Sequence, residues 1–96
     1  SNEPGKMVER TGLHNREFID TCRYTLTEAA SVETDDSVHV MNLVDGRCAR
    51  IESMDGSFEP FEIHYAETAI VPAAAKCYRI VPEDREIKMV VASVRR

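Results

Sequence analysis

Residues Glu67 to Ile80 read ETAIVPAAAKCYRI. Thr68 to Val71 is a short apolar run stopped by Pro72. Three alanines follow, and Cys77 to Val81 is a second run, stopped by Pro82. Proline has no amide to give to a sheet ladder, so each run predicts a short strand that ends where its proline stands. Downstream, Glu83-Asp84-Arg85 predicts a turn into a long final strand, Ile87 to Val94. Upstream, Asp55-Gly56 is the strongest hairpin signal. It lies between a strand over Cys48 to Ser53 and a returning strand carrying Phe58, Phe61 and Ile63, with Pro60 tolerable at an edge or bulge.

The same alternation continues toward the amino terminus. VHVMNLV, Val38 to Val44, ends at Asp45-Gly46, and Cys22, Tyr24 and Leu26 alternate with Arg23, Thr25 and Thr27. The only helical competitor, LTEAAS over Leu26 to Ser31, is too short to stand alone. Seven or eight short strands with turn signals between them predict an all-β, antiparallel sandwich or barrel, and a two-sheet jelly roll is the simplest closure. Met41, Leu43, Ile51, Ile70, Ile80, Met89 and Val91 are its expected core.

The 96 residues, 43% hydrophobic and 30% charged, suit one domain with one core. The start, Ser1-Asn2 followed by EPGKMVERTGLHNRE, shows no period and few apolar residues. Residues 1–17 are therefore expected to be a cleavage scar and linker, poorly ordered for want of apolar surface, with the domain over 18–96. A net charge of −5 without a Lys/Arg block argues against nucleic acid. No apolar run approaches the roughly 20 residues of a membrane helix, and a cytoplasmic setting is expected. Cys22, Cys48 and Cys77 are odd in number and form no CxxC, which predicts buried free thiols.

The spacing of VHVMNLVDG, the DG hairpin, YAET and Pro72 resembles the two half-motifs of a cupin barrel, whose first motif runs HxH, three or four residues, Glu, six residues, Gly. Anchored on Gly46, the Glu position falls on His39, and the histidine pair on Glu33 and Asp35, or on Val32 and Thr34 with the longer gap. The second motif, anchored on Pro72, puts its glycines on Ala66 and Ala74 and its histidine on Cys77. FEIHYAETAIVPAAAKCYRI is further similar to the carboxy-terminal barrel of class I mannose-6-phosphate isomerases. That resemblance implies a double-stranded β-helix of antiparallel strands. It also implies that zinc and the sugar-isomerising residues sit on an amino-terminal cupin outside this chain.

The resemblance thus implies a non-catalytic, metal-free supporting barrel, with the remainder of a parent chain as its partner. No catalytic residue and no cofactor is assigned within the chain. Glu33 or Asp35, His39 and Cys77 pointing into one barrel would be a chemically possible zinc set. A pocket built for three imidazoles and a carboxylate is not rebuilt by changing each position independently, however, so a packed or hydrogen-bonded His39 beside a small, apolar Cys77 is the reading preferred. No second His cluster with Asp or Glu at ligand spacing stands out. His64 with Tyr65 reads as a surface pair, His14 lies in the linker, and Arg23, Arg79 and Lys88 read as solvated strand residues rather than a phosphate site. A small stand-alone cupin that binds a sugar or regulates a partner is the alternative. Strand edges exposed by a missing domain predict self-association.

Overall fold

The computed structural model describes residues 5–10 and 19–94. Nine strands are present among them: β1 (Lys6–Arg10), β2 (Ile19–Leu26), β3 (Ala30–Glu33), β4 (His39–Asp45), β5 (Cys48–Ser53), β6 (Phe61–His64), β7 (Thr68–Val71), β8 (Cys77–Pro82) and β9 (Ile87–Val94). A five-stranded sheet runs β1-β2-β9-β4-β7 and a four-stranded sheet β3-β8-β5-β6. Every pairing is antiparallel. Only β1–β2 and β5–β6 are sequence neighbours paired in one sheet; at every other step the chain crosses between sheets, so the fold is a jelly roll.

Period-two alternation dictates what lies between the sheets. Leu26, Met41, Leu43, Val71, Ile87, Met89 and Val91 face inward from the first sheet and Ala30, Val32, Ala49, Ile51, Ile63, Tyr78 and Ile80 from the second. Each large side chain so buried contributes about 1.5–3 kcal/mol of transfer free energy. Six of the seven residues expected in the core are there. The exception is Ile70, which is 62% exposed, because inward Val71 leaves Ile70 on the outer face, opposite Val40 of β4.

Three further differences have local causes. Lys6–Arg10, inside the segment expected to be linker, forms edge strand β1 along residues 22–26 of β2. Main-chain pairing and cross-strand contacts substitute there for apolar periodicity. Lys6 Nζ lies 5.9 Å from the centre of the Tyr24 ring, and Glu9 accepts from Arg23 at 2.8 Å. Gly5 accepts from the Thr27 amide at 2.9 Å, and residues 1–4 and 11–17 of the expected linker lie outside the described residues. β3 arises where the helical competitor ends, because Ala30 and Val32 face the core while Ser31 and Glu33 face out. Phe58 is not in a strand. β5 and β6 are joined by the 54–60 loop, in which Ser53 Oγ accepts the amides of Asp55 and Ser57, and Phe58 packs on Phe61 with ring centres 5.7 Å apart.

Two corners need a left-handed backbone. Gly46, between β4 and β5, has φ +95°, and a Cβ there would sit 2.7 Å from Ile87 Cγ2. Ala66, between β6 and β7, has φ +71° with a side chain present.

Candidate functional site

One end of the core is built from β3, β4 and β8. Inward alternation places Val32 and Thr34, His39, and Tyr78 there, each less than a tenth exposed. Thr34 is fixed by its own amide, which donates to the Lys76 carbonyl at 3.0 Å, and by its hydroxyl, 3.2 Å from the same carbonyl and 3.4 Å from that of Ala73. His39 Nδ1 lies 2.7 Å from the Tyr78 hydroxyl, and the two rings meet edge to face with centres 5.6 Å apart. Tyr78 is fully buried.

The electrostatics of this pair follow from burial. Desolvation holds the His39 pKa below the usual histidine range, against smaller opposing pulls from the Thr34 backbone and the Asp35 charge. Burial, followed by the nearby Tyr24 and Cys77, pushes the Tyr78 phenol far above its ordinary value. Both groups are therefore neutral at pH 7, and a single hydrogen bond joins Nδ1 and the phenol oxygen. Among the described residues no buried side-chain nitrogen or oxygen lacks a partner.

The four positions singled out in the sequence separate. His39 faces the core. Glu33 and Asp35 are exposed, and Cys77, paired with Glu33 across β3–β8, faces outward with its sulfur 3.3 Å from Met54 Sδ. Glu33, Asp35 and Cys77 instead line a surface groove of about 300 Å³ with Thr34, Asp36 and Lys76. In β8 it is Tyr78 that points inward, and in the first motif it is the longer-gap pair, Val32 and Thr34. Arg23 and Arg79 lie on different sheets, in ion pairs with Glu9 and Glu52, and do not converge. His14 lies outside the described residues.

The chain is similar in structure to a cupin superfamily protein from Desulfitobacterium hafniense, with a TM-score of 0.71 at 13% identity over 100% of this chain and 83% of that one. The cupin_2 domain of an XRE family transcriptional regulator from Enterobacter cloacae gives 0.73 at 11% identity, over 96% and 98%. A "putative mannosephosphate isomerase" from Archaeoglobus fulgidus gives 0.73 at 14% identity, over 99% of this chain and 27% of that one. The fold is the cupin barrel. The sequence itself matches no family model and no curated protein.

In this cupin barrel the inward donor set does not fit a metal. Val32 has no donor atom, the Thr34 hydroxyl is taken up by backbone carbonyls, the Tyr78 phenol stays protonated, and His39 is a single imidazole with Nδ1 engaged.

A second group of metal-ligating residues lies on the outer face of the barrel and was not seen in the sequence. Cys48 and His64 are direct cross-strand partners in β5–β6, and Glu62 is two residues along the same face. One donor atom from each lies within 4.8 Å of the others. Glu83, just past β8, brings Oε1 to 3.9 Å from Cys48 Sγ, and Glu67 Oε1 lies 3.0 Å from His64 Nδ1. His64 is a surface residue, as expected from its place at a strand end, but it is not isolated.

Proposed function

We propose that this chain is a non-catalytic cupin domain supporting a metal-bearing domain of a sugar-phosphate isomerase of the mannose-6-phosphate type. The His39–Tyr78 pair carries the reading. Aldose to ketose interconversion assisted by a divalent ion needs an open coordination position and a poised base. Where a catalytic cupin would hold that ion, this barrel has a neutral imidazole 2.7 Å from a buried phenol, packed beside Val32 and Thr34. The sugar-phosphate class is supported by the wording of residues 61–80 and by the likeness to the Archaeoglobus protein, of which this chain spans 27%. The zinc of the reaction would belong to the other domain. Exposed Ile19, Val38 and Ile70 with Val40 and Ala92 form an apolar outer face on the five-stranded sheet, suited to contact with that domain, and to self-association without it.

The 96-residue chain, assayed with mannose 6-phosphate and added zinc, is expected to show no turnover. Turnover that disappears in His39→Ala would overturn the reading. The parent reading frame is expected to encode a histidine-rich cupin upstream of Ser1. A frame beginning at Met7 would favour a small sugar-binding or regulatory cupin instead.

A further inference from the structure

We infer that Cys48, Glu62 and His64 form a binding site for a borderline-soft divalent cation of the zinc class on the outer face of β5–β6, with Glu83 as the fourth ligand and Glu67 as the residue that orients His64. The site is separate from the barrel interior and from any role in isomerisation.

The geometry is built by the hairpin. Cys48 and His64 face each other across the ladder, and Glu62 is brought to the same side by the period of the strand. The Glu83 amide donates to the Cys48 carbonyl at 3.0 Å, which pins the acidic side chain beside the thiol. A tetrahedral zinc with bonds of about 2.0–2.3 Å needs its ligand atoms roughly 3.3–3.8 Å apart. His64 Nε2 and Glu62 Oε1 are 3.5 Å apart, and Cys48 Sγ and Glu83 Oε1 are 3.9 Å apart. The donor atoms of Cys48, Glu62 and His64 already lie within 4.8 Å of one another, so closing the set needs shifts of about 1 Å.

The histidine is already oriented for the task. Glu67 Oε1 accepts from the His64 backbone amide at 2.7 Å and faces Nδ1 at 3.0 Å. A carboxylate at Nδ1 selects the tautomer with the proton on that nitrogen and leaves the Nε2 lone pair directed toward Glu62, the arrangement of a carboxylate, histidine and metal triad. Arg50, opposite Glu62 in register, would be a competing cation, but its Nε is 2.9 Å from Glu52 Oε2.

Charge selects the occupant. Glu62 and Glu83 bring two carboxylates to the Cys48 sulfur, a set of anionic donors that a dication balances. Sulfur and imidazole donors exclude magnesium and calcium, which take oxygen, and favour zinc or cobalt(II).

The test is titration of the metal-stripped chain with cobalt(II). One equivalent is expected to give the intense visible bands of a tetrahedral ion and a thiolate charge-transfer band, both displaced by zinc. Cys48→Ser should abolish the charge-transfer band. Glu62→Gln and His64→Ala should each weaken binding at least tenfold, and Glu67→Gln about tenfold, as expected for a residue supporting a metal ligand. Cys22→Ser and Cys77→Ser should titrate as the parent protein does. A charge-transfer band that survives Cys48→Ser, or is lost in Cys77→Ser, would overturn the assignment, as would a parent protein that gives no such band. Because the side chains of Cys48, Glu62, His64 and Glu67 lie on the outer face, folding of their variants should persist. Zinc protection of Cys48 against alkylation in the unaltered chain, mapped by mass spectrometry, provides a check that needs no variant; equal labelling with and without zinc would refute the site. Isomerase turnover bears only on the barrel reading, so the two can fail independently.

Discussion

Tyr78→Phe isolates one hydroxyl. The ring remains in place, so no aromatic-sized cavity opens; the change strands His39 Nδ1, which has the Tyr78 oxygen at 2.7 Å and is buried with its ring. A buried group left without its partner costs about 1–3 kcal/mol. Taking about 2 kcal/mol, the melting midpoint of a domain this size should fall by roughly 8–16 °C. Urea unfolding should show the same loss as a lower midpoint with an unchanged slope, since the surface exposed on unfolding is the same. His39→Leu alone would strand the hydroxyl instead, whereas the double variant Tyr78→Phe/His39→Leu removes both polar partners together. The double loss should therefore be smaller than the sum of the two single losses by about 1–2 kcal/mol, within the range found for residues in direct contact. A Tyr78→Phe loss under about 0.5 kcal/mol, or strict additivity in the cycle, would refute the view that this pair closes the barrel as a mutually satisfied unit.

Ala66→Gly should stabilise the fold by about 0.5–1 kcal/mol, because φ +71° strains a side chain that glycine lacks; a lowered melting midpoint would contradict this. Gly46→Ala should cost roughly 2–4 kcal/mol in a urea titration, since φ +95° is combined with a Cβ 2.7 Å from Ile87 Cγ2. Acid should weaken the domain from near pH 6.5 downward: folded His39 binds its proton less readily than in the unfolded chain, so the stability present above the unfolded value is lost as pH falls through the lowered folded one. Melting scans between pH 7.5 and 5.5 should show that fall in the parent protein and a flatter profile in His39→Gln.

Much of the fold was legible because the strands that build the core carry large apolar side chains at every second position. β4, β8 and β9 each show this and lie where the alternation predicts, while β5, with only Ala49 and Ile51 inward, is marked by the Asp-Gly pairs on either side of it. β3 was not legible: it offers one small and one medium apolar residue, Ala30 and Val32, and runs only from Ala30 to Glu33. β1 was hidden for a different reason. Met7 and Val8 remain 59% and 42% exposed even in the strand, so burial leaves little pattern to read, and what places β1 is the ladder along β2. Ile70 misled because a hydrophobic residue on an edge strand was assumed to face inward, whereas its neighbour Val71 takes the inward position.

The candidate sites turned on parity, and parity was available in the sequence. Ile80 must be inside, so in an unbroken strand Tyr78 is inside with it and Cys77 is outside, whatever residue a motif frame puts in register. The same rule separates Val32 from Glu33 in β3. It also constrains the hairpin. A two-residue Asp55-Gly56 turn would pair Met54 with Ser57, and therefore Ala49 with Glu62 and Cys48 with Ile63. Cross-strand partners share a face, so that register would bury Glu62 or expose Ile63. A shift of one residue, which the wider 54–60 loop provides, pairs Ala49 with Ile63 inside and Cys48 with His64 outside. The requirement that Ala49, Ile51 and Ile63 share the core therefore brings the thiol and the imidazole face to face on the opposite surface. The outer cluster is a consequence of the register that builds the interior, and it becomes legible only when the alternation on both sides of Asp55-Gly56 is used to set the pairing.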